Sequence, residues 1–187
     1  MKKEAVSMVA VLACICIVVS ALLGYVNSIT KDKIAAISFE KMQNAMADIM
    51  PGCTFEEIAL DKSSSLDALY TAKDSGNNTV GICSKVTVSG FANDIVLIVG
   101  VNDDGTVAGV RITEINETAG LGSRTNDPDW LKQFNGLSGK INLVRKATTS
   151  PTDVVAVSGA TISSTAVTKG VQTVLNEAIP FLGGAKQ

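Results

Sequence analysis

The sequence contains no histidine, and this absence removes several kinds of chemistry. Ser-His-Asp and Cys-His catalysis both need an imidazole, and so does every metal site that uses a histidine ligand. Reactions that side chains alone do not catalyse, such as electron transfer, would require a bound cofactor in such a chain. We therefore predict no catalytic residue and no metal site among the chain's own side chains.

Cysteine is also scarce. Of four cysteines, Cys14 and Cys16 lie in an apolar run, which leaves Cys53 and Cys83 for the rest of the chain. Two thiols are too few for a four-cysteine zinc or iron–sulfur site. They could form a disulfide or be two small buried residues, and we favour the second interpretation.

The sequence also lacks a basic run and a dinucleotide-binding motif, which excludes two classes of ligand. The 16 basic and 18 acidic residues form no basic run, so nucleic acid is not an expected partner. No Gly-x-Gly-x-x-Gly follows a strand, because Gly120-Leu121-Gly122 is followed by Ser-Arg-Thr. The chain therefore has no dinucleotide fingerprint, and we expect no independent NADH chemistry.

Charge is missing from Ala5 to Thr30, a run of 26 residues. An apolar helix of this length can span a bilayer of roughly 30 Å. The run is long and has no small-x-small site near its end, so we predict an uncleaved membrane anchor. Lysines stand on both sides of it, at positions 2 and 3 and at positions 31, 33 and 41. The charge pattern therefore does not decide the orientation.

The spacing of apolar residues in 31–52 predicts an amphipathic extension of this helix that ends at Pro51-Gly52. Its apolar stripe, which should pack on the domain or on a neighbouring subunit, is Ile34, Ile37, Met42, Ala45, Met46 and Ile49. Residues 53–187 are enough for one domain. We therefore divide the chain into an anchor (residues 1–30), a helical extension (residues 31–52) and this domain.

The domain reads as α+β, with a mostly antiparallel sheet and flanking helices. Runs rich in Val, Ile and Thr predict strands at residues 80–88, 95–101 and 107–115. Residues 54–60, 68–72 and 140–144 are further strand candidates. Asn102-Asp103-Asp104-Gly105 predicts a hairpin turn, since the other ligands of a calcium loop are missing. Asp127 and Pro128 begin a short helix whose Trp130 and Phe134 share a face that we assign to the core.

A small-residue segment, Ser158-Gly159-Ala160-Thr161-Ile162-Ser163-Ser164, joins an apolar strand to the last helix. Ser163 or Ser164 is the expected N-cap, and the next amides could bind a phosphate. The plainer interpretation is a simple helix cap. The helix should bury Val167, Val171, Val174, Leu175 and Ala178 and stop at Pro180.

A second segment, Glu117-Thr118-Ala119-Gly120-Leu121-Gly122, has two glycines around a leucine. Such a bend suits close approach of the backbone to a flat ligand, although alone it is no more than a loop.

Together, and in this order, the two segments resemble the FMN-binding domain family. In that family the threonine corresponding to Thr161 carries FMN through a phosphodiester bond, made by a flavin transferase with FAD as donor. The resemblance implies that Ser158, Gly159, Ala160, Ile162 and Ser163 shape the phosphate end and that residues 117–122 line the ring. The chain departs from the family pattern at Val155, where the family has Asp, and at Ala119, where it has Pro.

Within the family, the chain looks most like the G subunits of Rnf ion-translocating ferredoxin:NAD oxidoreductase complexes. This implies electron transfer beside other membrane and peripheral subunits in a bacterial cell membrane. It also implies a single-pass chain with a cytoplasmic N-terminus and an extracytoplasmic domain. The alternatives are the C subunit of a sodium-translocating NADH:quinone reductase, a pilin-like subunit, for which the processing site is missing, and a membrane-tethered ligand-binding protein.

Overall fold

A computed structural model describes residues 2–61 and 63–182. Its first element is helix α1, Lys2–Ile49. Within Val6–Ile49 this helix contains a stretch that is apolar and long enough to cross a membrane. It runs without a break through residues 30 and 31, so the predicted anchor and its extension are one helix. The chain divides into two compact units between Glu40 and Lys41. The domain boundaries at residues 30 and 52 stay predictions.

The second unit is built on a five-stranded antiparallel sheet in which each strand pairs with the next along the chain. Its strands are β1 (Thr54–Ile58), β2 (Ala68–Lys73), β3 (Thr79–Ser89), β4 (Asp94–Asn102) and β5 (Val107–Ile115). The predicted strands are confirmed to within two residues at each end. The β4–β5 turn closes with the Gly105 amide donating to the Asn102 carbonyl at 3.0 Å.

Short elements follow the sheet. They are a 3-10 turn (Gly122–Asn126), α2 (Pro128–Leu131), a second 3-10 turn (Lys132–Phe134), the parallel pair β6 (Asn142–Val144) and β7 (Asp153–Val155), and α3 (Thr161–Leu182). Asp127 caps α2 as predicted, since its Oδ1 accepts from the Asp129 amide at 3.0 Å. Trp130 and Phe134 are buried and meet edge to face, with ring centroids 5.4 Å apart.

Two hydrophobic clusters cover the two faces of the sheet. On one face the predicted stripe of α3 is buried, from Val167 to Ala178, against Leu97 and Val99 of β4. On the other face Met42, Ala45, Met46 and Met50 pack with Ile98. Because neighbouring side chains of a strand point to opposite faces, β4 contributes to both clusters. The domain is thus α+β, as predicted.

The prediction that Pro180 stops the last helix is wrong, because α3 continues to Leu182. Proline lacks one N–H, but its fixed φ is compatible with a helix. The hydrogen bond to the carbonyl four residues earlier is lost, yet the helix extends two residues beyond Pro180.

Cys53 and Cys83 are both free thiols. Cys83 is fully buried on β3, and this burial, with a smaller contribution from Cys53, raises the pKa of its thiol to about 12. The predicted buried role thus holds for Cys83, whereas Cys53 is partly exposed.

Candidate functional site

The segment 158–164 lies between β7 and α3, and α3 begins at Thr161. The backbone at Gly159 has φ +79°, which residues with a Cβ rarely adopt. A Cβ at this position would also lie 3.1 Å from Leu121 Cδ2. Glycine at this position therefore allows both the turn and the close contact with the second segment.

The N-cap prediction is wrong, because Ser163 and Ser164 lie inside the first turn of α3. The first bond back along the helix runs from the Ser164 amide to the Ala160 carbonyl, at 2.9 Å. Both serine hydroxyls bond to groups outside α3. Ser164 Oγ accepts from the Val157 amide at 3.0 Å, and Ser163 Oγ donates to Glu117 Oε2 at 2.7 Å. The amides of residues 161–163 lie at the N-terminus of α3, where no helix carbonyl is available to accept from them.

Thr161 is exposed at the first position of α3. Its carbonyl accepts from Thr165 Oγ1 at 2.7 Å. Within the described part of the chain, its own hydroxyl makes no hydrogen bond. It is therefore an accessible hydroxyl beside a helix N-terminus.

Glu117 joins three segments through one carboxylate. Its Oε1 accepts from the amides of Phe91 (2.8 Å) and Ala92 (3.0 Å) in the β3–β4 turn, and its Oε2 accepts from Ser163 of α3. Desolvation works against ionisation, but the hydrogen bonds from Ser163 and from the turn amides outweigh it and lower the Glu117 pKa. The carboxylate is therefore ionised at neutral pH and holds the turn beside α3.

Two glycines make room for this carboxylate. A Cβ on Gly90 would lie 2.4 Å from Glu117 Oε1, and a Cβ on Gly122 would lie 2.4 Å from Glu117 Oε2. Gly120 differs, since a Cβ there would meet nothing within 4 Å, but its φ is +74°. Gly122 is thus required by packing and Gly120 by backbone conformation.

These segments enclose a cavity of about 360 Å³. It is lined by Phe91, Glu117, Thr118, Leu121, Gly122, Gly159, Ala160, Thr161, Ile162 and Ser163. Both predicted segments therefore meet at one site, although Ser158, Ala119 and Gly120 do not line it. Phe91 was missed by sequence reasoning. The one available signal was an aromatic residue beside Gly90 in the turn between two strong strands.

The cavity lining has both apolar and polar groups. Phe91, Leu121 and Ile162 are 66%, 46% and 56% exposed and supply apolar walls. The first-turn amides and the Thr161 hydroxyl supply donors near a helix N-terminus, where negative charge is stabilised. In the described ranges no group of three or more Cys, Asp or Glu side chains could hold a metal ion. The arrangement suits a flat aromatic molecule that carries a phosphate.

Comparison with known proteins agrees with this geometry. Residues 90–176 match the FMN-binding domain family. The chain is 38% identical over 119 residues to the G subunit of the Na⁺-translocating ferredoxin:NAD⁺ oxidoreductase complex of Acetobacterium woodii, covering 62% of this chain and 56% of that one. It is 33% identical to the G subunit of a proton-translocating ferredoxin:NAD⁺ oxidoreductase complex from Clostridium ljungdahlii, with 62% of each chain covered. The aligned region thus spans less than two thirds of these two relatives.

A third relative aligns over nearly its whole length. The G subunit of the ion-translocating oxidoreductase complex of Methanosarcina acetivorans is 29% identical over 180 residues, which cover 93% of this chain and 94% of that one. Among solved structures, NqrC of Shewanella oneidensis shares the fold, with a TM-score of 0.54 at 19% identity over 67% of this chain and 69% of that one. Residues 90–176, which match the FMN-binding domain family, contain every residue that lines the cavity, and the chain resembles the G subunits of ion-translocating oxidoreductase complexes.

Proposed function

We propose that this chain is an electron-carrying subunit of a membrane-bound, ion-translocating ferredoxin:NAD oxidoreductase complex, with FMN attached covalently to Thr161. The observation that carries the proposal is an exposed threonine hydroxyl, without a hydrogen-bond partner among the described residues, at the wall of a cavity within the region that matches the FMN-binding domain family. The similarity to the G subunits of such complexes supports the same complex and partners.

The residues present fit FMN. The amides of the first turn of α3 would hold the phosphate, and the glycine at position 159 keeps side-chain atoms away from that end. Leu121 and Ile162 would pack against the ring system and exclude water from it. Bound FMN supplies one-electron redox chemistry, so the chain needs no acid or base of its own.

Attachment requires a separate enzyme. A threonine hydroxyl is a weak nucleophile without an adjacent base, and no histidine is available to act as one. A flavin transferase would use FAD as donor, so that the Thr161 oxygen bonds to the FMN phosphorus, AMP leaves and the hydroxyl proton is released. A tethered flavin also keeps a high local concentration at its site.

The membrane arrangement follows from α1 and from the relatives. We propose that α1 spans the membrane once, with the N-terminus in the cytoplasm and the FMN-binding domain outside. The partners would be the other membrane and peripheral subunits of the complex.

Replacement of Thr161 tests the proposal. In the purified native complex, Thr161→Ala should abolish flavin fluorescence of this subunit in a denaturing gel and remove the flavin from its intact mass. Loss of one exposed hydroxyl should change stability by less than about 1 kcal/mol.

Thr165→Ala is the matched control, because Thr165 lies one turn along α3 and outside the cavity. This variant should keep its flavin. Denaturation-resistant fluorescence that persists in Thr161→Ala would show that another residue carries the flavin, or that the flavin is not attached through this segment.

A further inference from the structure

In the second compact unit, exposed large apolar side chains are concentrated at the cavity. Among the described residues of the second compact unit, the large apolar side chains with substantial exposure are Phe91, Leu121, Ile162, Ile179 and Phe181. Three of these five line the same cavity. Phe91 is the most exposed of them, at 66%, and it lies outside both sequence segments discussed above. An aromatic ring this exposed is not part of the domain core, and with Leu121 and Ile162 it lines one cavity with exposed apolar surface, as ligand-binding sites do.

The position of Phe91 is fixed by Glu117. The Phe91 amide itself donates to Glu117 Oε1 at 2.8 Å, while Glu117 Oε2 holds Ser163, two residues after Thr161. The turn is closed by a second bond, from the Gly90 amide to the Asn93 carbonyl at 3.0 Å. One side chain therefore sets the distance between the Phe91 backbone and the first turn of α3.

We propose that Phe91 packs against the flavin ring and that Glu117 is the positioning residue that holds it there. This inference rests on the proposed function, since it needs a flavin at Thr161. Phe91, Leu121 and Ile162 would then enclose the ring between the β3–β4 turn, the 117–122 loop and α3. Exclusion of water on the Phe91 side would disfavour a charged reduced flavin and so shift its midpoint potential.

A tryptophan at position 91 gives a positive signal for contact. An excited flavin oxidises a touching indole, and the flavin fluorescence is quenched; phenylalanine does not act in this way. Phe91→Trp in the full-length protein should therefore lower native flavin fluorescence at least fivefold per flavin. Unfolding should restore it to the wild-type value.

Phe181→Trp is the matched control, because Phe181 is also exposed but lies twenty residues after Thr161 on α3, about 30 Å along a helix. It should leave the fluorescence unchanged. Equal native fluorescence in Phe91→Trp and Phe181→Trp would overturn the contact. Absence of denaturation-resistant flavin in the wild-type protein would instead overturn the proposed function, so the two failures are distinguishable.

The role of Glu117 is tested in the Phe91→Trp background. Glu117→Ala should restore at least half of the lost native fluorescence, and Glu117→Gln, which keeps an oxygen for the turn amides, should restore less. Glu177→Ala controls for general loosening, because Glu177 also ties a loop to α3, accepting from Ser64 Oγ at 2.8 Å and the Ser65 amide at 2.9 Å. It should leave the fluorescence quenched. Quenching that survives Glu117→Ala in full would show that Glu117 does not position Phe91.

Discussion

At the scale of single residues, Gly120 and Gly122 of the 117–122 loop are needed for different reasons. Gly120 lies in open space with φ +74°, whereas Gly122 lies against Glu117 and Ser163. Spacing in the sequence makes the pair look equivalent. The difference arises because only Gly122 faces the carboxylate that joins the β3–β4 turn to α3.

Gly122→Ala should therefore destabilise the domain. Its Cβ would lie 2.4 Å from Glu117 Oε2 and 2.7 Å from Ser163 Oγ, so the Ser163–Glu117 bond must shift. Overpacking of this kind costs about 1–3 kcal/mol. Urea unfolding followed by Trp130 fluorescence measures it.

Gly120→Asn provides the comparison for Gly122→Ala. Asparagine tolerates the left-handed region, and the site has room, so this change should cost less than about 1 kcal/mol. If Gly122→Ala proves as mild as Gly120→Asn, the carboxylate is not confined in the way described.

At the scale of elements, α3 approaches the sheet closely at Gly170. A Cβ there would lie 2.4 Å from Leu97 Cδ1 and 2.9 Å from Val88 Cγ1. The glycine lies in the middle of a helix of 22 residues, where it weakens the helix. Close packing on β3 and β4 explains why it is nevertheless there.

Two effects compete in Gly170→Ala, and their sizes predict the sign. Helix propensity alone would stabilise the protein by about 1 kcal/mol. Overpacking against Leu97 and Val88 should cost about 1–3 kcal/mol, so we expect a net loss of stability. Lys169→Ala, at an exposed neighbour, should be close to neutral. Thermal unfolding would decide the matter, and a stabilised Gly170→Ala would mean that the helix can move away from the sheet.

At the scale of the whole molecule, the sheet has both faces covered, and the cover of one face comes from the last turns of α1. Met46 is 2% exposed and Met50 is 6% exposed in the cluster that includes Ile98. The folding unit of the domain therefore includes residues before the first strand.

Two fragments test this conclusion. A fragment that starts at Asp32 keeps Met42 and Met46 of α1 and should fold as a soluble domain without NADH or ferredoxin oxidoreductase activity, since no dinucleotide fingerprint is present. A fragment that starts at Cys53 should melt at a lower temperature or aggregate, because one apolar face of the sheet is uncovered.

Equal melting temperatures of the two fragments would show that α1 adds nothing to the domain. Rapid NADH oxidation by the flavin-loaded longer fragment would argue against an electron carrier.

The sequence alone determined the features that depend on neighbouring residues. Runs rich in Val, Ile and Thr placed β3, β4 and β5, the charge-free run placed the first part of α1, and Asn102 to Gly105 placed a hairpin turn. The segments 117–122 and 158–164 could also be identified from the sequence, because turns and helix starts depend on local residue types.

Tertiary structure decided what those local features meet. Ser163 is 46 residues from Glu117, and Phe91 is 26 residues from it, yet one carboxylate binds both. Ser163, one of the two serines predicted to cap α3, instead donates to this distant carboxylate, and the close approach at Gly170 depends on β3 and β4. No local pattern encodes these contacts, because each depends on how the sheet and α3 pack together.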